Sequence, residues 1–176
     1  MKRLFLILIM TVFTSPAWAE SQFVQSVIDG RTLKLINGDQ IRLIGIDLND
    51  DQSKETGDFV RSLVSGSVVE VEYDVNRIDE EGNLLAYIWF EYEGTEDIAV
   101  TKFPEEYDMY YFYDLDQKGK GSFHVLLNST MIKSGYAIPA NIPPNTKHAQ
   151  LFEDLYRANQ DQMANVPSGS VQTASR

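Results

Sequence analysis

Twenty-six aspartates and glutamates, fifteen lysines and arginines, two histidines and no cysteine are the side chains on which any chemistry of this chain must rest. Without cysteine there is no thiolate nucleophile, no thiolate metal site and no disulfide framework. His124 and His148 are too few for a multi-histidine metal site, and neither sits in a local pattern that pairs it with a catalytic partner, so each reads as a surface or boundary residue. A resident metal would therefore be a hard cation held by carboxylates and carbonyls. The richest store of carboxylates is the stretch from Glu91 to Asp116, with nine acids, one lysine and seven aromatic residues. At its end Asp114 and Asp116, followed by Gly119, mimic part of a calcium loop. Lys118, however, falls on a ligand position and Val125 stands where the bidentate glutamate belongs, which excludes an EF-hand. The stretch reads instead as a solvated acidic hairpin or ordered loop that packs its Tyr and Phe against the domain. A net charge of −11 gives no general basic surface, so a nucleic-acid packaging protein is excluded.

The elements that must position these side chains are legible from periodicity. Lys2 and Arg3 lead an apolar run, Leu4 to Phe13, that ends at Ala17-Trp18-Ala19, the pattern of a cleavable secretory signal over residues 1–19. The run is well short of the roughly 18 apolar residues that span a bilayer, so the mature product is expected to be exported, periplasmic or secreted, with no membrane attachment. From Phe23 to Ile46, β-branched and aliphatic runs alternate with turn signals at Asp29-Gly30 and Asn37-Gly38-Asp39, which predicts three strands in a meander. Phe59, Val60, Leu63 and Val64 form two i,i+4 pairs before Gly66 and predict one amphipathic helix. Val68 to Tyr73 and Leu84 to Tyr92 read as two further strands, Leu126 to Lys133 as a short helix, and Asn145 to about Gln162 as a longer one after Pro143-Pro144. One domain over 20–163 follows, with the acidic insert at about 91–116 and a small, polar, disordered tail over 164–176.

Four blocks, in order, carry a resemblance. Val27-Ile28-Asp29-Gly30-Arg31-Thr32-Leu33-Lys34-Leu35, then Ile41-Arg42-Leu43-Ile44-Gly45-Ile46-Asp47, then Leu84-Leu85-Ala86-Tyr87, then Leu127-Asn128 through Lys133-Ser134-Gly135-Tyr136-Ala137 together resemble the staphylococcal nuclease (thermonuclease) family. The likeness runs from about Phe23 to Gln162. It implies a mainly β fold with α, a five-stranded OB barrel with three helices, in agreement with the element order read from periodicity.

The resemblance also implies a site. The family's nucleases cut phosphodiesters with a calcium ion, carboxylates to hold it, a carboxylate to handle the attacking water and two arginines to neutralise the phosphate. Arg42 matches the first arginine and Asp47 a calcium-binding aspartate. Asp50 matches the water-handling carboxylate but is one methylene shorter. Arg31 stands where the family has a second metal carboxylate, and Asn83 where it has the second arginine; Arg77, nearby in sequence, matches no family position. With a guanidinium among the ligands, calcium is expected to bind weakly and no cofactor to be required. Arg42 and Asp47 also have a structural reading, in which an Arg and an Asp at a strand end pair and cap backbone groups. The expectation is an exported family member that is a weak or inactive nuclease and acts as a binding module for a protein or a small anionic ligand, with Arg31 and Arg42 converging on the anion. Nucleic acid is expected to bind weakly. The rival expectation is a divergent calcium-dependent endonuclease acting on DNA or RNA.

Overall fold

Alternation along each short strand decides which side chains meet. Leu33 and Leu35, Ile41 and Leu43, and Val69 and Val71 are buried, while Arg42 and Glu70 between them are not. The computed structural model describes residues 20–49, 53–95, 109–111 and 120–164. The signal segment 1–19, Asp50, most of the acidic insert and the tail from 165 lie outside the described residues. In chain order the elements are β1 Glu20–Asp29, β2 Thr32–Leu35, β3 Gln40–Leu43, β4 Ile46–Leu48, α1 Ser53–Val64, β5 Val68–Ile78, β6 Leu84–Thr95, β7 Met109–Tyr111, β8 Lys120–Leu126, α2 Leu127–Lys133, β9 Ala137–Pro139 and α3 Ala149–Ala164.

Strand β1 pairs with β2 and β5, β2 with β3, and β5 with β6. Parallel pairing of β3 with β6, Ile41 against Leu84 through Leu43 against Ala86, closes these five strands into a barrel. The five-stranded barrel and its three helices are those implied by the sequence. The core runs from Val24 and Leu33 through Tyr87 and Phe123 to Phe152 and Leu155. In α1, Val60 and Val64 carry the burial and Phe59 and Leu63 cover its edge.

Three details differ from the periodicity reading. The chain ahead of α2 is a strand: β8 runs antiparallel to β6 from Trp89 opposite Leu126 to Thr95 opposite Lys120, and β7 joins its outer side. A hairpin arm therefore brackets the acidic insert. The glycines at 119 and 121 dilute the alternation that would have announced it. Next, β4 and β9 form a small separate pair, Ile46 opposite Pro139 and Leu48 opposite Ala137, too short to read from pattern. Finally, α3 begins at Ala149. Asn145 is spent on β5 instead, where it accepts from the Asn76 backbone N–H and donates to the Asn76 carbonyl, both at 2.8 Å.

Candidate functional site

The β1–β2 turn places Arg31. Asp29 accepts the Arg31 backbone N–H through Oδ1 at 2.7 Å, which tightens the turn around Gly30. A side chain at Gly30 would lie 2.6 Å from the Thr56 methyl, so glycine allows α1 to pack directly on the turn. Held in this way, the Arg31 guanidinium donates from Nη1 to Asp47 Oδ1 at 2.7 Å. The same Asp47 oxygen accepts the Leu48 N–H at 3.0 Å. The arginine side chain is 23% exposed and the aspartate 55%.

Arg42 stands one strand over, with Thr32 its register partner on β2 and Leu85 its partner on β6. Its nearest acid is Glu81, with Nη1 3.7 Å from Oε2, a loose pair between part-exposed groups. Arg31 and Arg42 line one cavity of about 350 Å³, walled by the Leu43–Ile46 corner, the Asp79–Glu81 turn and Pro143-Pro144. The two anion-binding candidates are thus brought together. Asp47 instead pairs with Arg31 and caps β4, so the expected structural role falls to Arg31 and Asp47 and not to Arg42 and Asp47. Asp50 lies outside the described residues.

Asn83 has a local task in the β5–β6 turn. It donates its backbone N–H and its Nδ2 to Asp79 at 2.8 and 2.9 Å, and Glu81 N–H adds a third bond. Burial pushes the Asp79 carboxyl up, but these bonds, with Arg42 nearby, hold it below the ordinary carboxylate range. Arg77 does not compensate for the missing arginine; its guanidinium lies over the Tyr73 ring, 4.9 Å from the centroid, away from the cavity lining.

Asp47 is already neutralised by Arg31, and among the described residues no three His, Asp or Glu side chains converge as a ligand set.

Sequence reasoning missed a second polar assembly. Glu72 on β5 accepts Trp89 Nε1 at 2.7 Å, lies 3.0 Å from His148 Nε2 and pairs with Lys147 Nζ. Burial raises the Glu72 carboxyl, yet the bonds from His148, Lys147 and Trp89 outweigh it and bring the group to about 2. The His148 ring meets Tyr87 edge-on at 4.6 Å, and the His124 ring stacks on Trp89 at 4.9 Å. Both histidines are boundary residues with partners. Their only advance signal was the period-2 row Glu70, Glu72 on one strand and Tyr87, Trp89 on the next.

No protein-family model matches the chain. Thermonuclease of Staphylococcus intermedius is 25% identical to it over 159 residues, covering 84% of this chain and 76% of that relative.

Proposed function

We propose that this chain, with its closed five-stranded barrel and its distant likeness to a thermonuclease, is an exported staphylococcal-nuclease-like domain with little or no nuclease activity that binds a small anionic ligand. The observation that carries this reading is the Arg31–Asp47 pair. A guanidinium 2.7 Å from Asp47 stands where the family resemblance implies a second metal carboxylate, and it lines the same cavity as Arg42. Such a site can hold a phosphate or carboxylate. Asp47 is held by Arg31 and Asp79 by Asn83, which leaves Glu80 and Glu81 as the other carboxylates at the cavity wall. Export rests on the Lys2 to Ala19 pattern. No helix among the described residues is long and apolar enough to cross a membrane.

The rival, a divergent calcium-dependent endonuclease, draws on Arg42, which is part-exposed, loosely paired and lines the cavity. Cleavage of DNA and RNA by the mature protein with calcium separates the two. We expect turnover at least about a thousandfold below that of an intact family nuclease, about 4 kcal/mol of missing transition-state stabilisation. Turnover near that of an intact nuclease, abolished by Arg42→Ala, refutes the proposal.

A further inference from the structure

A second cleft, sharing no residue with the arginine cavity, lies on the outer face of the barrel. It encloses about 230 Å³ between Ser21, Val68, Val69, Glu70, Trp89, Glu91 and His124. Strand register builds it: Ser21 is opposite Glu70, Glu70 opposite Trp89, and Glu91 opposite His124. Because Val69 and Val71 point into the barrel, Glu70 points out, and Trp89 and Glu91 share a face two residues apart. The cleft combines two kinds of surface. Val68, more than half exposed, and the stacked Trp89 and His124 rings are apolar. Glu70 and Glu91 bring negative charge.

That charge is not balanced. Glu91 accepts a hydroxyl bond from Ser122, and Glu70 Oε2 is 3.5 Å from His124 Nε2. Burial lowers the His124 ring below its ordinary pKa against the pull of Glu70, Glu91 and Glu72. Among the described residues neither glutamate pairs with a lysine or arginine. A bare metal ion is disfavoured, since no three of these ligands converge. An aliphatic stem ending in a cation satisfies both surfaces at once, with methylenes against Val68 and the ring stack and the head between two carboxylates.

We propose that this cleft binds a primary alkylammonium group, supplied either as a free amine or as a lysine side chain of another protein. The test is a titration of the isotope-labelled mature chain by amide NMR at pH 7. The probes are n-butylamine, Nα-acetyl-lysine methylamide and, as an apolar control, n-butanol. Saturable shifts are expected at Ser21, Val68, Glu70 and His124, with n-butanol at least about tenfold weaker, as expected when a charge-assisted contact is absent. The double variant Glu70→Gln, Glu91→Gln is expected to weaken amine binding by a similar factor. If that variant does not fold, Glu70→Gln alone carries the test, because this side chain is part-exposed. A response to either amine supports the cleft, and the stronger arm names the source. Shifts that do not saturate, an equal response to n-butanol, or affinity untouched in a folded glutamine variant overturn the proposal.

Discussion

Replacing Arg31 by aspartate, R31D, reverses the cation that Asp47 holds and changes the local charge by two units. The magnitude follows from where the pair sits. Asp47 is 55% exposed, so the water-like limit of Coulomb's law applies. For a doubly charged ion about 5 Å away, each unit of charge is then worth about 1.7 kcal/mol, and the reversal about 3 kcal/mol. Screening over a Debye length of about 8 Å reduces this to about 2 kcal/mol, or about thirtyfold in calcium affinity. Stability should change little, since a half-exposed ion pair contributes about 0–1 kcal/mol. The Asp29 turn also survives, because it uses the backbone N–H of residue 31. Isothermal titration of calcium into the wild type and R31D, at low and at physiological ionic strength, measures the effect. The gain should be larger at low salt. A folded R31D that binds calcium no more tightly than the wild type would refute the reasoning, because Arg31 would then not be what keeps a cation from Asp47.

Combining R31D with Asp50→Glu and Asn83→Arg should raise both calcium binding and cleavage beyond any single change, since groups at one site act non-additively; a folded triple variant that gains neither shows that the defect lies elsewhere. Glu72 should govern the acid limb of stability. Its folded pKa of about 2 lies below the ordinary 4.5, so its contribution is complete above that value and is lost as pH falls toward 2, to the extent of about 3 kcal/mol. Urea unfolding of Glu72→Gln from pH 7 to 2 should show lower stability at neutral pH and a flatter acid limb, and an unchanged acid limb would contradict this. Asn128→Ala should cost about 2–4 kcal/mol by denaturant melts, because the fully buried Asn128 donates to the Ile44 carbonyl at 2.9 Å and accepts the Ile88 N–H at 3.2 Å, leaving both unsatisfied when removed. A loss below about 1 kcal/mol would mean that water or backbone movement replaces both bonds.

The sequence by itself determined the five barrel strands, the first helix and their order relative to one another, because period-2 and period-3.6 burial and the Asn37-Gly38-Asp39 turn are local properties. It also determined which unusual residues stand at the candidate site, Arg31 and Asn83 above all. What those residues do was decided only in three dimensions. Arg31 and Asp47 are sixteen positions apart, and their ion pair joins the β1–β2 turn, on which Thr56 of α1 packs at Gly30, to β4. Arg42 reaches Glu81 because β3 pairs with the start of β6, a parallel contact across half the domain that no pattern announces. The Glu72 assembly joins strand β5 to residues 147 and 148, more than seventy positions away. The reason is common to all three. Burial periodicity is written in neighbouring residues, whereas the partner of a charged side chain is set by barrel closure, and closure depends on contacts whose two halves lie far apart in the chain.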